Sequence, residues 1–158
     1  KLLQINRLKI TIFGKTLNSR NLLAAAAFDG SAVSSDGAGY DFDYIRSGDL
    51  AHPRSFGAFP RFYNLISQKA GLSLAKTIEK MTSLPARALG LKFRGAITPD
   101  YFADLAVFHP EEFRDEASYK NPYRYASGLR FLLMNGRVAV REGAIGADRN
   151  GAVLRKNV

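Results

Sequence analysis

Ser31-Ala32-Val33-Ser34-Ser35-Asp36-Gly37 is the stretch on which the fold turns. Residues 31–36 are small, partly apolar and end on an acid, and residues 37–51 behind them are rich in Gly and Asp. A short buried strand that ends in a carboxylate and opens into a long loop is a frequent site geometry in parallel α/β proteins, where sites lie at the C-terminal ends of strands. Loops of this length without structure of their own are often functional. Residues 31–36 are therefore expected to form a strand, with Asp36 as a candidate metal ligand or proton carrier. The same Asp before Gly also suits a plain Asx-turn, and that alternative stands on spacing alone.

Upstream of this stretch, Leu8, Ile10 and Ile12 alternate with Lys9 and Thr11, which predicts a strand. Residues 18–27 predict a short helix with Leu22 and Leu23 inward. Downstream, residues 59–71 predict a helix with Phe62, Leu65 and Ile66 on one face and Gly71 as its stop. Ser73 caps the next, in which Leu74, Ile78 and Met81 recur at i, i+4 and i+7. Pro85 opens one more short helix with Ala88 and Leu89 inward and Gly90 at its end. The pattern then changes to strands. Leu105–Phe108 is a continuous apolar run, expected to be buried on both faces. Phe131-Leu132-Leu133-Met134, Asn135-Gly136 and Arg137-Val138-Ala139-Val140 predict a hairpin, because Asn-Gly tolerates the two positive φ angles of a type I′ turn. The order is strand, loop, helices, then a small β module.

Composition narrows the function. The 158 residues are 46% hydrophobic and 23% charged, ordinary for a folded domain. No apolar run approaches the roughly 18–20 residues needed to cross a bilayer. No cysteine is present, so disulfides, CxxC metal knuckles and a Cys nucleophile are excluded within the chain. The net charge of +9 invites a nucleic-acid reading. The charge is scattered, however, and residues 31–60 are net acidic, so a solvated basic surface is the expectation. The chain opens Lys1-Leu2-Leu3-Gln4 without Met or a signal pattern and is read as a fragment; a cytoplasmic location is expected.

A second candidate site is His52-Pro53-Arg54-Ser55-Phe56-Gly57-Ala58-Phe59-Pro60-Arg61. Arg is the side chain best built to grip a carboxylate with two parallel hydrogen bonds. The alternative is that Arg54 and Arg61 are surface residues or pair with the loop aspartates. Only two histidines exist, His52 and His109, and there is no HxH or HExxH, so the chain cannot build a histidine-rich zinc site by itself.

Five strings occur in order: Ser35-Asp36-Gly37; HPRSFGAFPRFY from His52; LSLAKTIEKMTSLPARALGL from Leu72; RGAITPDYFADLAVFHP from Arg94; and NPYRYASGLRFLLMNGRVAV from Asn121. Together they resemble the C-terminal third of the N-acyl-D-amino-acid deacylases (D-aminoacylases), in the amidohydrolase superfamily. The resemblance covers roughly residues 33–155. It implies an α/β fold: residues 1–92 as the last strand and helices of a metal-dependent (β/α)8 barrel, and residues 93–158 as part of a small β-sandwich. The implied reaction is hydrolysis of the amide of an N-acyl-D-amino acid to a carboxylate and a free D-amino acid, with zinc polarising the carbonyl and activating water. By the same resemblance Asp36 is the catalytic proton carrier and a metal ligand, Arg54 grips the substrate α-carboxylate, and His52 joins it in the substrate-binding loop that Gly57 and Arg61 shape.

There are departures. The family's upstream ligands, an HxH pair, a Cys and two later histidines, have no counterpart here, and a whole barrel needs about 250 residues. The chain alone is therefore expected to be inactive, with most zinc ligands elsewhere, and to oligomerise through exposed barrel edges. The family commonly reads Gly where this chain has Asp100, a position expected to need positive φ, and F-D-P where this chain has Phe108-His109-Pro110. The competing readings are a non-catalytic remnant used as an interaction domain, and a basic nucleic-acid module. An upstream HxH motif would favour the enzyme, a start codon just before Lys1 the remnant, and a salt-dependent shift on DNA or RNA the third. Neither a membrane nor a nucleic-acid partner is expected.

Overall fold

The computed structural model describes residues 2–5, 14, 17–40, 45 and 51–154. The helices are α1 (Leu2–Ile5), α2 (Ser19–Ala27), α3 (Arg54–Arg61), α4 (Ser67–Lys69), α5 (Leu74–Met81) and α6 (Ser83–Ala88), with a π-helical stretch, Phe62–Ile66, joining α3 to α4. The strands β1 (Leu105–Phe108), β2 (Leu129–Met134), β3 (Arg137–Arg141) and β4 (Ala144–Ile145) form one antiparallel sheet in the order β1-β2-β3-β4. Among the described residues no helix is long and apolar enough to cross a membrane.

Residues 31–36 do not form the expected strand. They run without regular structure, held by the Val33 N–H donating to Lys80 O at 3.0 Å. A strand exists only through a neighbour that completes its ladder, and among the described residues none lies beside it. The strand expected around Leu8, Ile10 and Ile12 falls outside the described residues.

The helix carrying the second candidate motif starts earlier than expected, at Arg54 rather than residue 59. Pro60 lies inside it. Proline cannot donate to the carbonyl one turn back and crowds it, and the π-helical stretch follows directly. Widened turns of this kind absorb local misfits in the ladder. The apolar face here is as expected in part: Phe62 is buried, while Leu65 and Ile66 are half-buried. Gly71, at φ 68°, ends this helical run.

Of three expectations about inward faces, two hold only in part, with Leu23, Ile78 and Met81 half-buried, and the third fails. Leu22 is 43% exposed, because it borders an open apolar cleft, and Ala26 is the buried residue of α2. In α5 Leu74 is 65% exposed, whereas Thr77 and Lys80 are buried at 2% and 1%. The Lys80 ammonium donates to Phe28 O, Ser31 O and Ser31 Oγ, and thereby closes the carbonyl end of α2, where a cation is favoured. Its four-carbon stem supplies the buried surface. In α6 Ala86 is buried and Ala88 and Leu89 are exposed, because Gly95 is packed so close that a Cβ there would lie 2.6 Å from that of Ala86. Ser73 caps as read, its Oγ accepting from Lys76 N at 3.2 Å; Asn18, read as the first helical residue, is instead the cap of α2, its Oδ1 accepting from Arg20 N at 2.8 Å.

The hairpin forms in the expected place, with Met134 opposite Arg137 and positive φ at Asn135 (51°) and Gly136 (79°). β1 is not buried on both faces. Ala106 and Val107 are exposed, Val107 at 48%, and in the sheet of the described residues β1 is an edge strand paired with β2 alone. Arg94 clamps this region: it ion-pairs with Asp104, donates to Asn135 Oδ1 at 2.8 Å, and lies over the Phe102 ring. Asp104 in turn accepts from Asn135 N at 2.8 Å. Asp100 has φ 67°, as expected of a position that favours glycine. Helices and sheet meet at Tyr63, Phe108 and Phe113, whose ring centroids lie 4.5–5.7 Å apart.

Candidate active site

Asp36 is placed by a short run of local turns. Its N–H donates to Ser34 Oγ at 3.3 Å, the next N–H donates to Ser35 Oγ at 3.2 Å, and Asp36 itself sits at φ 46°. Asp tolerates that left-handed conformation better than most residues. Gly37 then passes so close to α3 that its missing Cβ would lie 2.6 Å from Ser55 Cα.

Arg54 is placed by the start of α3. Pro53 fixes the entry at φ −53° but has no side chain to cap the helix. His52 acts instead, its Nδ1 accepting from the Arg54 N–H at 3.1 Å. The Arg54 guanidinium meets Asp36 twice, Nη2 on the carboxylate at 2.8 Å and Nε on the backbone carbonyl at 3.0 Å. The pair stays open to water, with the Asp36 side chain 82% and the Arg54 side chain 47% exposed.

His52 lies across from Tyr119, its Nε2 3.1 Å from the phenol oxygen and the two rings edge to face at 5.2 Å. Since Nδ1 accepts, the neutral ring carries its proton on Nε2, which donates to the Tyr119 oxygen. Burial holds the His52 pKa below its usual 6.5, the Arg54 charge lowers it further, and Asp36 opposes both. Arg61 pairs with Asp115 at 3.0 Å; the loop aspartates Asp41, Asp43 and Asp49 lie outside the described residues. His109 sits apart with Glu111, at 3.6 Å.

Arg54 borders two clefts. One, of about 320 Å³, is walled by Leu22, Val33, Phe62 and Ile66 and is largely apolar. The other, of about 370 Å³, is walled by His52, Arg61, Asp115 and Tyr119. The arrangement thus offers a carboxylate that can take a proton and a guanidinium that can hold an anion, side by side at a cleft mouth. Among the described residues no group of three or more His, Cys, Asp or Glu is gathered as metal ligands. Asp36 is a single exposed carboxylate already engaged by Arg54, so these residues do not make a metal centre by themselves.

The sequence singles out Asp36, His52 and Arg54, and the structure brings them together. It does not single out Asp115 or Tyr119, which line the same place from the β module. The sequence carried no clear signal for them, since Asp115 breaks the apolar alternation that Phe113, Ala117 and Tyr119 would otherwise make.

Comparison with known proteins gives the family. A D-aminoacylase of Alcaligenes xylosoxydans xylosoxydans is 34% identical over 131 residues, covering 82% of this chain and 26% of the relative. The chain thus spans about a quarter of the length of that curated relative. A solved D-aminoacylase, described by a binuclear metal centre with one-metal activation and second-metal attenuation, superposes with a TM-score of 0.78 at 30% identity, over 89% of this chain and 28% of its own. An N-acyl-D-glutamate deacylase from Bordetella bronchiseptica, complexed with zinc and a phosphonate mimic of the tetrahedral intermediate, superposes with a TM-score of 0.75 at 29% identity, over 88% of this chain and 28% of its own. The model of the amidohydrolase family matches residues 12–138, and the chain belongs to that family.

Proposed function

We propose that this chain is the C-terminal part of a zinc-dependent amidohydrolase that hydrolyses N-acyl-D-amino acids. In this reading residues 1–92 complete the (β/α)8 barrel and residues 93–158 belong to a β-sandwich beside it. Water adds to the amide carbonyl, the C–N bond breaks, and a carboxylate and a free D-amino acid leave. Asp36 takes the proton from the attacking water and delivers it to the departing nitrogen. Arg54 binds the substrate α-carboxylate, with His52 beside it in the same loop. The zinc is held mainly by residues outside those described here, with Asp36 as one contributor.

The observation that carries this reading is the meeting of Asp36 and Arg54 at 2.8 Å, from two motifs 18 residues apart. Similarity to deacylases that share both the fold and about a third of the residues supports it. The test is turnover of N-acetyl-D-amino acids by the full-length protein. Asp36→Asn is expected to lower chiefly kcat, and Arg54→Ala to raise chiefly KM. An unchanged KM in Arg54→Ala would refute the carboxylate grip. The isolated chain with added zinc is expected to show no turnover, and activity there that depends on Asp36 would contradict the assignment of most ligands elsewhere.

A further inference from the structure

One extended segment of the β module runs along the helix that carries Arg54. Phe113 O accepts from Asn64 Nδ2, and Asp115 pairs with Arg61 at 3.0 Å. The side chains of Asp115 and Ala117 face Gly57, where a Cβ would lie 3.0 and 3.7 Å from theirs. Tyr119 reaches His52 at 3.1 Å. On the segment these contacts fall at every second residue, as in extended chain. Phe113, Asp115 and Ala117 are the more buried positions, and Arg114, Glu116 and Ser118 are exposed. Along the helical run the contacts fall at 64, 61 and 57, spacings of three and four that define one face, and the fourth, at His52, lies two residues before Arg54. The segment is laid antiparallel to the helix like a splint, with its tyrosine at the arginine end.

We propose that Tyr119 is a positioning residue for Arg54. Its phenol accepts from His52 Nε2–H and fixes the imidazole ring; the Nδ1 of that ring then fixes the Arg54 N–H and with it the first turn of α3. Gly57 is what lets the segment lie this close, since a side chain there would push Asp115 and Ala117 away. The proposal rests on the reading of Arg54 as the carboxylate-binding residue. It adds that the β module, not the loop alone, aims the guanidinium.

The test uses the full-length protein and a panel of N-acetyl-D-amino acids. Tyr119→Phe keeps the ring contact and removes the hydroxyl. Tyr119 is 61% exposed, so this change leaves the core intact. The expected result is a KM raised about three- to tenfold, the range for one lost hydrogen bond, with kcat within about twofold. A fall in kcat alone, or no change while Arg54→Ala raises KM, would overturn the positioning role and leave the reading of Arg54 intact. If Arg54→Ala itself leaves KM unchanged, that reading fails and the proposal fails with it. A second measurement needs no substrate: nitrogen chemical shifts of His52 in the present chain should show the Nε2–H form. The Nδ1–H form would break the link between Tyr119 and Arg54.

Discussion

Gly37→Ala tests how finely the Asp36 loop is seated. A Cβ at Gly37 would lie 2.6 Å from Ser55 Cα, 2.8 Å from its Oγ and 3.0 Å from its Cβ. The nearest atom is backbone at the start of α3 and cannot rotate aside. Ordinary contact begins at 3.4 Å, so the loop must retreat by about 0.8 Å. Asp36 moves with it, and its contacts to Arg54, now 2.8 and 3.0 Å, stretch beyond hydrogen-bond length. A misplacement near 1 Å at a reacting group costs on the order of 100-fold. In the full-length protein the expected loss in kcat/KM on N-acetyl-D-amino acids is therefore about 30- to 100-fold, or about 2–2.7 kcal/mol. Thermal stability should barely move, since the exposed pair contributes at most about 1 kcal/mol. Gly39→Ala is the internal control, because no atom of the described residues lies within 4 Å of its Cβ position. A kcat/KM within about twofold of wild type for Gly37→Ala would refute the seating argument; so would an equal loss in Gly39→Ala.

Gly128→Ala is expected to destabilise the chain by about 3 kcal/mol or more in denaturant unfolding. Gly128 has φ 76° and its Cβ would lie 2.3 Å from Glu112 C and 2.4 Å from Phe113 N, all backbone. Gly146→Ala, whose nearest neighbour is 3.5 Å away, should be close to neutral; matching midpoints for the two variants would contradict this packing. His52 predicts a pH dependence. Burial and Arg54 hold its folded pKa below the ordinary 6.5, so the unfolded chain takes up the proton first. The contribution is fully present above the unfolded value and is lost as pH falls from there through the folded pKa. Denaturant midpoints of wild type should thus decline more steeply than those of His52→Gln on going from about pH 8 to about pH 5, and parallel curves would show that His52 carries no such linkage.

What was legible in the sequence was local. Asn135-Gly136 fixes its hairpin because two adjacent residues supply both positive φ angles. Ser73 caps its helix through a bond only three residues long. What failed was decided at a distance. The periodicity of α5 points to Leu74, Ile78 and Met81, but burial follows Lys80, whose acceptors are about fifty residues away at Phe28 and Ser31. Residues 31–36 have strand composition without a partner strand among the described residues. The helix read as starting at residue 59 starts at Arg54, with Pro60 inside it and the backbone widening behind it. Asp36 and Arg54 were each visible from their own motif. Their contact was not, and neither was Tyr119, a single aromatic in what reads as a loop.

The contact between Asp36 and Arg54 raises a question of magnitude, since each is assigned work on something other than its partner. An ion pair this exposed contributes between nothing and about 1 kcal/mol, because water screens it and two long side chains must be held still. Charge-assisted bonds from a guanidinium to a carboxylate shielded from water are markedly stronger. A substrate carboxylate bound at the cleft mouth therefore exchanges against a weak competitor. The bond from Arg54 Nε to the Asp36 carbonyl is different in kind. It holds one edge of the guanidinium to backbone, and it can persist when the Asp36 carboxylate leaves Nη2. The loop thus keeps the arginine aimed through its main chain while the side chain of Asp36 turns to proton transfer. On this argument the pair is a resting arrangement that the first step of binding undoes, and the residue that must not move is the carbonyl of Asp36, which Gly37 seats against Ser55.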